Sequence, residues 1–173
     1  MIYLQENGIL IRDMVDADAG IITEEEIAQG WHQTIEKYRN RLRDQAAGKS
    51  VSLVAEYLGN VAGYINVYPN AAEGPFANLG YAEIVDLGVL VKYRRNGIGG
   101  KLMDVAEQIA FSYSDTIYLG VGLHNGYGSA QRMYIKRGYI PDGSGVWYGG
   151  QNCPQYAACC NDDDLVLYLS KTK

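Results

Sequence analysis

The chain has 173 residues, 47% of them hydrophobic and 20% charged, with a formal net charge of −5 at pH 7. That length allows one domain with a substantial core, and the acidic balance excludes the basic face that a nucleic-acid binder normally carries. No apolar run approaches the length that spans a bilayer, and the opening MIYLQENG has no secretory pattern, so a cytoplasmic location and no membrane partner are expected.

Residues 8–15 read as a first strand. A polar, acidic stretch follows Asp16 and is expected to turn helical from Thr23, where Thr23-x-x-Glu26 has the pattern of a capping box. A second helix is predicted from Trp31 to Ala47, with Ile35, Tyr38 and Leu42 on one face and the basic residues on a solvated one. Val51–Leu58 and Val61–Val67 are β-rich runs, and Gly59–Asn60 between them predicts a type II′ hairpin. After a loop over 69–80, Ile84, Val85, Leu87, Val89, Leu90 and Val91 mark a buried strand from about Tyr81 to Val91. Leu102, Val105, Ala106, Ile109, Ala110 and Tyr113 then recur at helical spacing, so a helix is expected from Ile98 to about Ser114. A strand over 116–123, a short helix over 127–137 and strands over 139–148 and 165–170 complete the order.

Cys153, Cys159 and Cys160 lie in the insertion before the last strand. Their C-x₅-C-C spacing matches no ordinary zinc pattern, and His32 and His124 are remote in sequence, so they read as loop thiols and no metal site is expected. No repeat or linker divides the chain, which reads as one domain over 1–173. Hairpin-length links force most of the sheet to be antiparallel, while the helix from Ile98 is long enough for a parallel crossover. The fold class is therefore mixed α/β (α+β).

The turn between the central strand and that helix carries the chemistry. Gly97, Gly99 and Gly100 permit a tight turn and close approach of a ligand, and a helix start presents unpaired amides with a partial positive charge. Arg94, Arg95 and Lys101 add full charges, making an anion cradle. A P-loop is excluded, because Arg95 stands where its first glycine belongs and Leu102 where Ser or Thr belongs. A dinucleotide fingerprint is excluded by Leu102 in place of its third glycine.

What remains, Arg94-x-x-Gly97-x-Gly99, resembles the Q/R-x-x-G-x-G/A signature of the GNAT superfamily of N-acetyltransferases. A second block, residues 116–139, resembles the family's following segment at Asn125, Ala130, Tyr134, Gly138 and Tyr139. The likeness extends over residues 8–140 in layout and 83–139 in motifs. It implies a mostly antiparallel central sheet with a splayed parallel strand pair flanked by helices, and acetyl-CoA as co-substrate. It also implies pyrophosphate contacts from Arg94, Arg95, Asn96, Gly97, Ile98, Gly99, Gly100 and Lys101, and pantetheine contacts from the backbone of Leu87, Gly88 and Val89. Asn125 is implied as a coenzyme contact and Tyr134 as the acid that protonates the departing thiolate. Homodimers are frequent in the superfamily.

An amine with a pKa near 10.4 is neutral in only about one molecule in two thousand at pH 7, a deficit of roughly 4 to 5 kcal/mol. A general base is therefore expected, and Glu83 and Asp86 are the candidates. Ala82-Glu83-Ile84 stands fourteen residues before Gly97, the spacing at which histone acetyltransferases of the superfamily carry their basic glutamate. Many small-molecule members place an acidic residue nearer Asp86. Three residues apart on a regular strand, the two carboxylates face opposite ways unless a bulge intervenes. The resemblance implies an acceptor site built from the first helices, the loop before the central strand and the late strands, which makes Trp31, His32, Tyr68, Trp147 and Tyr148 candidate liners. The function expected is acetyl transfer from acetyl-CoA to a primary amine of a small molecule, by direct attack in a ternary complex. A protein lysine or N-terminal acceptor, and a non-catalytic CoA-binding regulatory domain, are the alternatives.

Overall fold

In the computed structural model, which describes residues 1–173, the chain opens on an antiparallel hairpin of β1 (Ile2–Glu6) and β2 (Ile9–Asp13). Asn7 and Gly8 both take positive φ (48° and 76°), the geometry of a type I′ turn. Then come α1 (Asp16–Ala28), α2 (Ile35–Ala46), β3 (Val51–Tyr57), β4 (Asn60–Tyr68) and β5 (Ala82–Val89). After these, α3 (Ile98–Tyr113) and β6 (Thr116–Gly122) lead to α4 (Gly128–Lys136), β7 (Ile140–Tyr148), β8 (Gln151–Asn152) and β9 (Leu165–Thr172). The chain divides into two packed units, one formed by Met1–Tyr68 and Ile84–Ala110, the other by Pro69–Glu83 and Phe111–Lys173.

In the first unit β1, β2, β3 and β4 pair antiparallel in chain order. Helix α1 starts seven residues before the expected Thr23. Its first turn is fixed by Asp18, which accepts from the Val15 amide at 2.8 Å and from both Arg12 terminal nitrogens at 2.7 and 2.9 Å. Thr23 lies inside the helix, where its hydroxyl donates to the Ala19 carbonyl at 2.7 Å and caps nothing. A tertiary partner, Arg12 on β2, thus chose the cap that local pattern misplaced. The β3–β4 loop is also one residue earlier than expected. Tyr57 pairs with Asn60, and Leu58 and Gly59 take φ of 50° and 81°, a type I′ turn in place of II′. The Leu58 amide donates to Gly8 at 2.8 Å, a long-range bond that holds a non-glycine residue in the left-handed region.

The second unit contains the parallel ladder, Ala82↔Ile117 and Glu83↔Tyr118, between the start of β5 and β6. β6 pairs antiparallel with β9 from Thr116↔Thr172 to Gly122↔Val166, β9 with β7, and β7 with β8. The mixed, mostly antiparallel class with one parallel pair is the architecture expected from the element order. Cys153, Cys159 and Cys160 are free thiols, the last two exposed. No helix is long and apolar enough to cross a membrane.

Candidate active site

The cradle belongs to the first unit. β5 is followed by a 3₁₀ turn over Val91–Tyr93, after which Arg95 (φ 67°) and Gly97 (φ 78°) swing the backbone into α3. Ile98 and Leu102 are buried and anchor the helix, leaving Arg94, Arg95, Asn96 and Gly97 exposed at its mouth. The Asn96 side chain donates to the Tyr93 carbonyl at 3.0 Å and ties the turn to itself. The bond from the Lys101 amide to Gly97 is the first of the helix, so the amides of Ile98, Gly99 and Gly100 open at its end.

A Cβ on Gly97 or Gly100 would meet no atom within 4 Å, and one on Gly99 only Val89 Cγ2 at 3.5 Å. The three glycines thus leave open space beside the main-chain donors at the helix end, room that a bulky pyrophosphate fits. Arg94 lies over the Trp31 ring at 5.5 Å. Lys101 is drawn to Glu6 at 2.6 Å. At Gly97 only glycine holds the left-handed turn without a penalty of roughly 1–2 kcal/mol. Gly97→Val is expected to abolish coenzyme A binding measured by calorimetry while leaving the far-ultraviolet circular dichroism unchanged, since the residue is exposed and uncrowded.

Upstream on β5, Asp86 takes φ 58° within the strand, a left-handed step of the kind that bulges use. Both its oxygens are engaged: Arg41 donates to Oδ2 from Nε at 2.7 Å and from Nη2 at 2.6 Å, and Lys37 Nζ lies 3.6 Å from Oδ1. Arg41 also donates to the Tyr68 hydroxyl at 2.6 Å, and Tyr68 donates to Asp44 at 2.8 Å. Two residues on, Gly88 is buried against Tyr64, and a Cβ there would sit 2.4 Å from Tyr64 Cζ. Tyr64 and Tyr38 both donate to Glu26 of α1, whose carboxylate is fully buried. The sequence reading gave this glutamate only the partner's place in the Thr23-x-x-Glu26 capping pattern, a role the earlier start of α1 removes.

Glu83, Asn125 and Tyr134 belong to the second unit. Glu83 is half-buried, with the Tyr118 hydroxyl 3.5 Å from its Oε2. Aromatic rings crowd the same strands, Phe76 at 4.7 Å and Tyr168 at 6.1 Å from Tyr118, and Trp147 at 5.5 Å from Tyr168. Burial, and then the charges of Glu83, Glu73 and Asp142, push the Tyr168 hydroxyl up to about 12. Tyr134 on α4 is 7% exposed, stands edge-on to Tyr139 at 6.0 Å, and is pushed up to about 12 by burial alone. Asn125 is exposed at the head of a 3₁₀ turn that His124 secures, its Nδ1 accepting from the Gly126 amide at 3.1 Å.

The proposed acceptor liners divide between the units, Trp31, His32 and Tyr68 in the first and Trp147 and Tyr148 in the second. Trp31 and His32 line a cavity of about 440 Å³ at the α1–α2 connection. Tyr68 is held in the Arg41 network, Trp147 Nε1 donates to Ser144 at 2.8 Å, and the Tyr148 hydroxyl donates to Asp162 at 3.4 Å.

The model of the acetyltransferase (GNAT) family matches residues 20–139, more than half of the chain. The chain belongs to the GNAT family of acetyltransferases. It is an acyltransferase with acetyl-CoA as donor. Its fold is that of yncA from Salmonella typhimurium, solved with its cofactor acetyl-CoA, at 18% identity and a TM-score of 0.69 over 96% of this chain and 94% of that one. The ribosomal-protein-alanine N-acetyltransferase from Brucella melitensis is similar at 19% identity and a TM-score of 0.68, over 95% of this chain and 99% of that one. At these identities the likeness establishes the fold alone. No curated protein matches the chain.

Proposed function

We propose that this GNAT acetyltransferase moves the acetyl group of acetyl-CoA to a primary amine of a small cationic molecule, by direct attack in a ternary complex in the cytoplasm. The observation that carries the reading is the setting of Glu83: a half-buried carboxylate beside Tyr118, among aromatic rings and with Glu73 and Asp142 close enough to act on Tyr168. Carboxylates and ring faces attract an ammonium group. One proton passes to solvent to give the neutral amine, which attacks the thioester carbonyl, and Glu83 takes the second proton from nitrogen as the C–N bond forms and the C–S bond breaks. Asp86, gripped by Arg41 and Lys37, serves to hold the β5 bulge. The cradle from Arg94 to Lys101 and Asn125 hold the coenzyme, and the main chain of Leu87, Gly88 and Val89 polarises the thioester carbonyl.

Tyr134 acts as a hydrogen-bond donor to the departing sulfur. Burial pushes its hydroxyl up to about 12, well above the range of a thiol, so complete transfer of its proton to the thiolate is uphill. It also keeps that proton far into alkali. Because a raised value preserves the neutral hydroxyl until the pH passes through about 12, kcat/KM should climb with amine deprotonation from pH 7 to 9 and show no descending limb before pH 10. A fall below pH 10 that disappears in Tyr134→Phe would contradict this assignment.

Thiol release from acetyl-CoA against a panel of diamines, amino sugars, amino acids and lysine- or alanine-terminated peptides tests the whole reading. Turnover confined to peptides would replace the small-molecule acceptor by a protein one. Coenzyme binding with no turnover on any acceptor would leave a regulatory CoA-binding domain.

A further inference from the structure

Beneath β5 lies a polar network that the proposed chemistry does not use. Glu26 of α1 is completely buried, as are Tyr38 of α2 (1% exposed) and Tyr64 of β4 (4% exposed). The Tyr64 hydroxyl donates to Glu26 Oε1 at 2.5 Å, the Tyr38 hydroxyl donates to Oε2, and the two hydroxyls stand 3.2 Å apart. Both phenols are held well above their ordinary range, chiefly by burial, so they remain neutral donors and the carboxylate is the acceptor of both. Burying a carboxylate is costly, and an apolar trio of the same volume is often at least as stable. A network of this kind contributes a fixed geometry more than it contributes stability.

The geometry it fixes is that of Gly88. The tip of Tyr64 is the floor on which that residue rests: Cζ, Cε1 and the hydroxyl oxygen all lie 2.4–2.6 Å from where a Gly88 Cβ would be. From the β4 side, a Cβ on Gly63 would come within 2.6 Å of the Gly88 carbonyl oxygen. The backbone is therefore pinched between Gly63 and the hydroxyl that Glu26 holds. Lys37, paired with Asp86 at the bulge, lies 5.4 Å over the Tyr38 ring and 5.6 Å over that of Tyr64, joining bulge and network.

We infer that Glu26 and Tyr64 form a positioning device that sets the main chain of Gly88, and through it the backbone groups that align the acyl thioester. This rests on the acetyl-transfer role proposed above for Leu87–Val89. The carboxylate fixes the Tyr64 hydroxyl, the hydroxyl fixes the height of Gly88, and α1 and α2 thereby govern a strand they do not belong to.

The test compares Tyr64→Phe and Glu26→Gln with Ile22→Val, which trims the apolar cluster around Tyr38 and Tyr64 but leaves every hydrogen bond of the network in place. In the ligand-free protein, hydrogen exchange should speed up locally over residues 84–90 in the first two variants and not in the third. In turnover, the first two should lose about tenfold or more in kcat with coenzyme affinity within twofold, as expected of a small misplacement at the reacting group. Unchanged exchange over 84–90, or a kcat loss no greater than that of Ile22→Val, overturns the inference. Absence of turnover in the unaltered enzyme with every acceptor would instead sink the acetyl-transfer reading, while the exchange comparison still decides whether the network sets Gly88.

Discussion

Gly88→Ala is expected to lower the melting temperature by about 2–12 °C and to abolish thiol release. One added methyl would meet the Tyr64 ring at 2.4–2.6 Å, a distance that requires something to move. Tyr64 has little room to retreat, because its hydroxyl is bonded to Glu26 and it is only 4% exposed. Overpacking of this kind costs about 1–3 kcal/mol, and each kcal/mol shifts the midpoint of a chain this size by about 2–4 °C. The same chemical change at Gly100 is the control. A Cβ there meets nothing within 4 Å and sits in the first turn of a helix, so Gly100→Ala should be neutral or stabilising by about 0.5–1 kcal/mol. Differential scanning calorimetry of the two variants separates them, and equal melting temperatures would show that β4 and β5 are looser than their geometry implies.

Glu83→Gln is expected to lower kcat by about 10²–10⁴ with the coenzyme dissociation constant within twofold, the loss typical of a missing general base. Glutamine keeps the shape and its neighbours but cannot take a proton. Asp86→Asn should behave differently. Asparagine also tolerates the left-handed backbone, so the bulge survives, while Arg41 loses a charge-assisted pair of about 1.5–3 kcal/mol. Its signature is a lower melting temperature with a smaller change in rate. If Glu83→Gln keeps full turnover from pH 6 to 9 while Asp86→Asn loses it, the two carboxylates exchange roles.

The glycine turn that leads into α3 was legible in the sequence because its information is local. Gly97 is required by a backbone angle, and the spacing from Arg94 to Gly99 is short enough to survive any rearrangement elsewhere. Helix α3 was legible for the same reason, since its apolar period alone fixes the face it buries. The start of α1 was not, because Arg12, a residue on another element, decides which acidic side chain caps it. Likewise the turn at Leu58 is held by the backbone of Gly8, fifty residues away in sequence. The β1–β2 hairpin had a clear signal in Asn7–Gly8 that was read only as a terminus. Glu26 shows the deeper limit. A glutamate in an acidic stretch was read as a capping partner, and only its bonds to Tyr38 and Tyr64 reveal that it is fully enclosed.

The thiols near the end of the chain bear on how any assembly of this enzyme is to be judged. Cys159 and Cys160 stand unshielded on the surface, so air oxidation can stitch molecules together through that loop. A band of doubled mass on a non-reducing gel would then report storage conditions, and only association that persists in fresh reductant speaks for a true homodimer.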